Sequence, residues 1–517
     1  MIKSSKFCAF FTALFRILAD AFKSSVLYKA LAFVVEGVAG SYETSSLRKI
    51  LIGKGSIEDS SDSSLFYKAV SAVFRGIIRF FKGIGNAMYK YSEGSFINNL
   101  YKRVFKRSYA ENYLYFVAFV SAFIFVIPHD FWSNTFGMLF AVLLLGLYII
   151  ALGGTDKKFI PGTNANKLWF PVLVFGMSLV LSCFVSYDVA DSIRVLMFFI
   201  TSFMLCFVIY ASVKDENGLD IMCGFMYAAL MITSAYAAVQ RVLGVEADAS
   251  LTDLSLNESM PGRVFSTLGN PNNFAEFLVL FMPFAFAFAL NRKKKTGNKY
   301  YVWGMILPLA AILLTYSRSG WIALAIAVAI FVALYDKKLI PIFIVLAILA
   351  IPFIPKNILN RILTIGNLED TSSSYRVDIW TGCLKMLKDY WFTGVGLGTG
   401  GFAEIYPPYG VGESFVAPHS HMHFMEMLCE LGILGFVSYI CMTFTLIKRS
   451  FVAAAKSVPY GIRNYAIASA ASMTGIIMIG CFEYCWFYPR VMFAFFVCAG
   501  VAMAAYKLAK QEKMDNK

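Results

Sequence analysis

The stretch Ser372-Ser-Ser-Tyr-Arg-Val-Asp-Ile-Trp380 opens the segment around which the rest of the chain is organised. A glycine-dense turn follows, Gly394-Val-Gly-Leu-Gly-Thr-Gly-Gly401, and then Pro418-His-Ser-His-Met-His423. The segment closes with Glu430-Leu-Gly-Ile-Leu-Gly435, at the start of a further apolar run. Three of the four histidines of the chain lie within five positions here. Because long apolar runs flank this polar segment, we expect a membrane scaffold that holds it at one face.

The composition places the chain among membrane proteins. Of its 517 residues, 58% are hydrophobic and only 15% are charged, whereas soluble proteins have about 25% charged residues. The mean hydropathy of +0.65 agrees. The net charge of +14 does not indicate a nucleic-acid partner, because the basic residues cluster in short loops between apolar runs. Such loops mark the cytoplasmic side of a membrane protein, so we expect no nucleic acid.

The apolar runs predict an all-α polytopic fold with about twelve transmembrane helices. Each run is close to the roughly 20 residues that a helix needs to cross a bilayer. The predicted helices lie at about 113–128, 134–152, 168–186, 193–213, 219–240, 273–290, 300–316, 319–335, 338–355, 424–447, 463–484 and 487–507.

Lysine and arginine in the short loops predict the orientation. The basic loops follow the even-numbered helices, at 155–167, 214–218, 291–299, 336–338 and 448–463. Both termini are therefore predicted to be cytoplasmic, in a protein of the cytoplasmic (inner or plasma) membrane. Residues 113–510 form the predicted membrane domain. Its longest loop, 356–423, falls between the ninth and tenth helices and is predicted to be extracytoplasmic.

Residues 1–112 differ from the rest of the chain. Their apolar residues are interrupted by lysine and arginine, so no spanning run forms. Between Phe66 and Phe105, apolar and basic residues alternate at helical spacing, which predicts a basic amphipathic helical extension. Helices of this kind lie on anionic membrane surfaces. A small helical domain that packs on itself is the alternative.

The long outer loop is predicted to contain a helix. Its apolar stripe at helical spacing consists of Val377, Trp380, Leu384, Leu387 and Trp391. We expect this helix to lie at the outer surface of the cytoplasmic membrane, with the serine triplet as its N-cap.

Three arginines are predicted at the outer face: Arg263, Arg318 and Arg376. Arg376 is either a solvated side chain or one that binds a phosphate at a helix N-terminus. Arg318 lies in a tight outer turn, where snorkelling to lipid head groups is the alternative to a binding role. Three arginines on one face suit a diphosphate.

The three clustered histidines, His419, His421 and His423, allow three interpretations. They could bind a metal together with a nearby carboxylate such as Glu426. They could serve surface or helix-capping roles. One of them could act as a general base, because a neutral imidazole can accept a hydroxyl proton near pH 7.

Five motifs, in this order, resemble the O-antigen ligase/polymerase family: Ser317-Arg-Ser-Gly-Trp321, Arg376-Val-Asp-Ile-Trp380, Gly394-Val-Gly-Leu-Gly398, His419-Ser-His-Met-His-Phe-Met-Glu426 and Glu430-Leu-Gly-Ile-Leu-Gly435. The resemblance spans about 263–436 by motif and about 113–506 by topology, and the N-terminal region lies outside it. It implies a glycosyltransferase that needs no metal and no other cofactor. Its implied partners are an undecaprenyl-diphosphate-linked glycan donor, a glycan acceptor and the lipid bilayer.

The resemblance also implies roles for single residues. Arg318 and Arg376 would hold the diphosphate, with Arg263 as a third candidate, and His421 would activate the acceptor hydroxyl. We assign supporting roles to His419, His423 and Glu430. The family has asparagine after the histidine where this chain has Met422, so His419 and His423 stay alternative bases.

A diphosphate leaving group and one imidazole base are sufficient for a single displacement that inverts the anomeric centre. Ligases and polymerases share these motifs, so the acceptor stays open. A lipid-linked oligosaccharide flippase and a non-catalytic membrane scaffold are the alternative classes. The chain shows neither the paired midplane charges nor the inverted repeat that transporters often carry.

Overall fold

The computed structural model describes residues 13, 17, 20–53, 64–105, 109–153, 163–245, 262–363, 371–412, 414–455 and 457–515. Parts of the predicted N-terminal region and of the long loop therefore lie outside the described residues. The regular elements within these ranges are helices, joined in places by short 3₁₀ turns. We number the α-helices α1 (Val26–Thr44), α2 (Ser46–Ile52), α3 (Leu65–Glu93), α4 (Phe96–Phe105), α5 (Tyr109–Val126), α6 (Asn134–Gly153), α7 (Thr163–Phe184), α8 (Val189–Ser212), α9 (Glu216–Leu243), α10 (Pro271–Thr296), α11 (Tyr300–Gly304), α12 (Ile306–Leu314), α13 (Arg318–Asp336), α14 (Ile340–Ala350), α15 (Lys356–Leu363), α16 (Thr371–Tyr390), α17 (Thr399–Ile405), α18 (His423–Ala453), α19 (Tyr460–Gly480) and α20 (Pro489–Asp515).

The helices confirm an all-α, multi-pass membrane protein. Within the described residues, seven helical stretches are long and apolar enough to cross a membrane: Asn134–Gly153, Val189–Ser212, Glu216–Leu243, Pro271–Thr296, Arg318–Phe353, His423–Ala453 and Pro489–Glu512. Three shorter apolar helices span Asn112–Val126, Trp169–Phe184 and Tyr300–Leu314. Each of the twelve predicted runs overlaps a helix, but the number of crossings stays a prediction.

The core of the bundle forms around α10 and α20, whose apolar stretches are almost entirely buried. Helices α9, α13 and α19 pack against α10, and α8 packs against α20. Aromatic rings fill the centre: the centroids of Phe277 and Phe281 are 4.4 Å apart, and Phe125 of α5 lies 5.2 Å from Phe277. This packing fixes the ends of the helices that carry the candidate site.

The N-terminal helices lie against the bundle. The Tyr28 hydroxyl of α1 donates to the Lys338 carbonyl at 3.3 Å. The ring of Tyr67 in α3 contacts Phe170 of α7, with 5.4 Å between centroids. The N-terminal region therefore packs on the membrane helices as well as on itself.

A second, smaller core lies between helices α16 and α17 and the start of α18. It contains Ile379, Cys383, Met386, Phe402, Tyr406 and Cys429, all fully buried. Helix α16 therefore turns its Ile379 face inward. Of the stripe predicted for this helix, Leu387 is buried, whereas Val377, Leu384 and Trp391 are exposed. The location of this stripe at the outer surface of the cytoplasmic membrane stays a prediction.

The predicted start of α16 was wrong by a few residues. The helix begins at Thr371, so the serine triplet lies inside its first turn and does not precede it. Serine is tolerated in a first turn because its hydroxyl bonds readily to nearby backbone groups. Arg376 is then in the second turn of the helix.

Candidate active site

The glycine-dense turn at 394–401 packs against α18 where this helix is interrupted at Gly432. Gly432 has a φ of 63° inside α18, and a Cβ atom there would lie 2.2 Å from the Phe392 carbonyl oxygen. Gly394, with a φ of 70°, would likewise meet the backbone of Glu430 at 2.5 Å. Only glycine combines this left-handed conformation with such close backbone approach. Both motif glycines are therefore explained by the contact between the two segments.

Backbone hydrogen bonds hold the turn in the break. The Val395 N–H donates to the Cys429 carbonyl at 2.8 Å, and the Gly396 N–H donates to the Glu430 carbonyl at 3.1 Å. These carbonyls would otherwise be left unsatisfied where the helix is interrupted. The turn thereby fixes the direction of the N-terminal part of α18, which begins at His423.

The Glu430 carboxylate ties this turn to the loop between α19 and α20. It is fully buried. One oxygen accepts from the Gly398 N–H at 2.9 Å, and the other accepts from the Tyr484 hydroxyl at 2.8 Å. Both oxygens are therefore engaged by the fold, which is consistent with a supporting role for Glu430.

Arg263 is held by the turn between α12 and α13 and by the start of α10. Its Nε donates to the Thr315 carbonyl at 2.8 Å, and its Nη2 donates to Asn272 Oδ1 at 2.6 Å. The backbone beside it is also fixed, because the Val264 N–H donates to the Leu314 carbonyl at 3.2 Å. Arg263 is only 5% exposed, so it is not a snorkelling side chain.

Three other guanidinium groups lie near enough to Arg263 to influence its pKa. Burial and the positive charge of Arg361 lower the pKa of Arg263 to about 10, and Arg318 and Arg376 act in the same direction. Glu483 opposes them. The structure thus brings the three predicted arginines into one cluster and adds Arg361.

A chain of hydrogen bonds connects two of these arginines. The Asn272 side chain accepts from Arg263 and donates through Nδ2 to Glu483 Oε1 at 3.2 Å. The same oxygen accepts from Arg376 Nη2 at 2.7 Å. The side chains of Arg376 and Glu483 are 19% and 13% exposed. Asparagine suits the central position because it offers one acceptor and one donor.

Arg361 enters the cluster through the turn that carries Arg318. Tyr316 in this turn has a φ of 51°. Its hydroxyl accepts from Asn357 Nδ2 at 2.8 Å, and its carbonyl accepts from Arg361 Nε at 3.5 Å. Helix α15, which carries Asn357 and Arg361, is therefore docked on the turn.

Of the three clustered histidines, His421 is the least buried. It has a φ of 53°, a conformation that is uncommon outside glycine. Its backbone N–H donates to His419 Nδ1 at 3.1 Å, and its ring lies 6.5 Å from that of Tyr375. Among the described residues, its buried Nδ1 has no hydrogen-bond partner. Because an uncommon backbone conformation has to be maintained by its surroundings, it marks His421 as a candidate functional residue.

The other two rings are enclosed by aromatic side chains. The His423 ring lies 4.5 Å from Trp486 and 5.2 Å from Tyr439, and only 4% of the residue is exposed. The His419 ring lies 4.5 Å from Phe487, and the residue is 7% exposed. His419 and His423 therefore support the loop, whereas His421 remains the most accessible imidazole of the three.

Burial keeps the imidazoles of His419 and His421 neutral near pH 7. Burial, His421 and Arg376 lower the pKa of His419 to about 2. Burial lowers the pKa of His421 as well, with Glu483 opposing this shift and Arg376 adding to it. His421 is thus deprotonated near pH 7 and can accept a proton.

The described residues do not support the interpretation of the three histidines as a metal site. In the part of the chain that the structure describes, no group of three His, Cys, Asp or Glu side chains is placed to hold a metal ion. The three histidines do not share one centre, because His423 is directed into its aromatic enclosure.

Sequence reasoning missed Asn272, Arg361 and Glu483 as site residues. Glu483 offered one signal, a carboxylate at the end of an apolar run. Asn272 and Arg361 are ordinary residues for a helix start and a loop. Their roles follow only from contacts between distant parts of the chain.

Comparison with known families gives one match. Residues 303–440 match the family model described as O-antigen ligase. The matched range includes Arg318, Arg361, Arg376, the glycine turn and the three histidines, whereas Arg263, Asn272 and Glu483 lie outside it. No curated protein matches the chain. The chain is thus a multi-pass membrane protein in which residues 303–440 are similar to the O-antigen ligase family.

Proposed function

We propose that this protein is a membrane glycosyltransferase that moves a glycan from an undecaprenyl-diphosphate carrier to a hydroxyl of an acceptor sugar. The observation that carries the proposal is the cluster of four arginines beside a neutral histidine. A diphosphate presents several negative oxygens to such a cluster, and planar guanidinium groups bind phosphate oxygens in pairs.

The arginine guanidinium groups bind the donor diphosphate, and this interaction becomes stronger during the reaction. Negative charge builds up on the departing diphosphate oxygen as the anomeric bond breaks, and fixed cations stabilise it. Asn272 and Glu483 position two of these cations, since they link Arg263 to Arg376. The spacing of the two guanidinium groups is thereby set before the donor arrives, which lowers the cost of organising the site.

His421 serves as the general base. The acceptor O–H gives its proton to the imidazole, and the acceptor oxygen forms a bond to the anomeric carbon. The bond from this carbon to the carrier phosphate breaks, and the carrier leaves as its diphosphate anion. Since the nucleophile enters opposite the leaving group, the anomeric configuration is inverted. Nδ1 of His421 is buried, so Nε2 is the nitrogen that faces the acceptor.

The activity and its subtype can be tested in a deletion strain by analysing the glycans left on the lipid carrier. Single repeats on the carrier indicate a polymerase, and completed chains indicate a ligase. Both results support the proposal. Lipid-linked units trapped on the cytoplasmic side would indicate a flippase and overturn it.

Impermeant maleimide should label a cysteine introduced at Val416 in intact cells, but should not label one at Lys338. Val416 is 70% exposed in the loop between α17 and α18, on the side of the candidate site. Lys338 is also exposed but lies at the opposite ends of the helices, beside Tyr28. The unsubstituted chain gives the background. The reverse labelling pattern would place the site in the cytoplasm.

The value of kcat/KM should stay constant as the pH falls from 8 to below 6.5, because kcat/KM reports the protonation of the free enzyme. A base loses activity when it is protonated, and the pKa of His421 lies below its ordinary value because of burial. Glu483→Gln should move the acidic limb of the kcat/KM profile to still lower pH, because the carboxylate opposes this lowering. A limb above pH 6.5, or one that the substitution moves upward, would contradict the role of His421.

A further inference from the structure

The long N-terminal helix α3 presents three distinct faces. One face packs on the bundle and contains the buried residues Tyr67, Ser71, Ile78 and Gly85. We propose that a second, apolar face and a third, basic face bind α3 to anionic phospholipids, on the side of the membrane opposite the candidate site. This inference does not depend on the glycosyltransferase activity.

The apolar face is a continuous stripe that no described residue covers. Its members recur every three or four residues, which places them on one side of the helix. Their exposures are Val73 65%, Ile77 47%, Phe80 65%, Ile84 36%, Met88 43% and Tyr91 85%. Single exposed apolar residues need no explanation, but an aligned stripe of this length marks an interaction surface.

The basic residues of α3 follow the same periodicity, displaced by about half a turn. They are Lys68, Arg75, Arg79, Lys82 and Lys90. A displacement of two residues turns a helical position by about 200°, so the basic stripe lies roughly opposite the apolar one. Glu93 is the one acidic residue in the sequence of this helix. Apolar and basic faces on opposite sides are typical of helices that lie in the plane of a membrane interface.

The contacts of α3 place it at the ends of the membrane helices, where a helix that binds lipid head groups has to lie. A Cβ atom at Gly85 would lie 2.2 Å from the Ile149 carbonyl and 3.3 Å from the Gly153 nitrogen, so α3 touches the C-terminal end of α6. The N-terminal end of α6 follows His129, whose ring lies against Gly269 on the site side. Helix α3 thus lies at the ends of the membrane helices that point away from the site.

Charge complementarity indicates that a lipid surface, and not a protein, binds the apolar and basic faces of α3. The helix carries five basic residues against one acidic residue, and an anionic leaflet attracts such segments. Tyr91 and Phe80 are side chains that suit the boundary between head groups and acyl chains. An interface between proteins would instead be depleted in lysine, and α3 contains three lysines.

Hydrogen exchange of the full chain in nanodiscs tests this inference. Amides of α3 should exchange at least about tenfold more slowly in phosphatidylglycerol discs than in phosphatidylcholine discs. The double variant Arg75→Gln/Arg79→Gln should remove this difference between the two lipids. The matched variant Lys385→Gln/Lys388→Gln loses the same charge on exposed residues of α16 and should keep the difference.

Exchange in Pro271–Thr296 serves as an internal reference for folding, because this helix is central and buried. The variant Ile77→Asn/Phe80→Asn should accelerate exchange of α3 in both lipids without changing the reference helix. Equal exchange of the unsubstituted α3 in both lipids would overturn the proposal. Protection that appears only in native membranes, and not in pure lipid, would overturn it in favour of a protein partner.

Discussion

Arg376→Lys should lower kcat/KM for glycan transfer by at least about 100-fold, which is about 2.7 kcal/mol of transition-state stabilisation. Lysine keeps the charge but lacks the planar fork, so it cannot reproduce the paired N–H···O bonds that a guanidinium group makes to a phosphate. Arg376 lies in a half-buried position 2.7 Å from Glu483, where a charged hydrogen bond is stronger than at the surface. Because the positive charge is kept, Glu483 is not left as an unpaired charge, and the variant should still fold. Transfer is measured with a lipid-linked donor and stability by thermal unfolding of the purified protein.

Arg194→Lys is the matched control for this experiment. Arg194 also forms an ion pair with an aspartate, Asp191, but its side chain is 70% exposed and lies outside the arginine cluster. This variant should retain nearly all transfer activity. If Arg376→Lys kept wild-type activity and wild-type affinity for undecaprenyl diphosphate, Arg376 would be only a structural partner of Glu483. The diphosphate site would then depend on Arg263 and Arg361.

Variants of Glu483 provide a second test of how Arg376 is positioned. Glu483→Gln keeps an oxygen that can accept from Arg376 and Asn272, and its effect on kcat/KM should be smaller than that of Glu483→Ala. A positioning role predicts this rescue by the conservative variant. Equal losses in the two variants would show that the charge of Glu483, and not its geometry, is what the site requires.

The membrane scaffold is predictable because the apolar runs are long and continuous. Hydropathy depends on local composition, so each predicted run coincides with a helix even where its ends are misplaced. The helix is interrupted at Asp336-Lys-Lys338, where a loop was predicted. The backbone of Asp336 is extended, with a φ of −156° and a ψ of 106°, and a 3₁₀ turn at Lys337–Leu339 leads into α14. Charged residues between two apolar runs were a sufficient signal for this interruption.

The site was predictable only in part, for a reason that can be stated in terms of contacts. Arg263, Arg318 and Arg376 could be selected because the sequence predicts them at the outer face, where cations conflict with the charge bias of membrane proteins. Their partners could not be selected. Asn272 and Glu483 are 211 residues apart in sequence, and Arg376 and Glu483 are 107 apart. No spacing rule relates residues at such distances, so the bridge between the arginines is a property of the packed bundle.

The histidines illustrate the same limit. Their spacing left three possible bases and a metal site open, because periodicity does not show which ring is enclosed. The structure separates them by burial: aromatic side chains surround His423, and His419 accepts the backbone N–H of His421. This arrangement supports His421 as the base and leads to the prediction with the second large effect.

His421→Ala should lower kcat by about 10²–10⁴-fold, the usual contribution of a general base, while undecaprenyl diphosphate still binds with wild-type affinity. His421→Asn separates this loss from misfolding, because asparagine tolerates the left-handed backbone that His421 adopts but supplies no base near pH 7. Both variants should have the same low kcat and should unfold near the wild-type temperature. His129→Ala removes an exposed histidine outside the cluster, whose ring lies against Gly269, and should lower kcat far less than either His421 variant.

The neighbouring histidines decide whether this assignment is correct. His419→Asn retains an oxygen that can accept the His421 N–H, and His423→Phe retains an aromatic ring in the enclosure formed by Trp486 and Tyr439. Each should reduce kcat by less than about tenfold, because support of the loop is preserved while the base stays in place. Wild-type kcat in His421→Asn, together with a loss of at least about 100-fold in His419→Asn or His423→Phe, would transfer the role of base to that neighbour. Because the affinity for undecaprenyl diphosphate is measured separately, this outcome would leave the arginine site intact and change only the group that activates the acceptor.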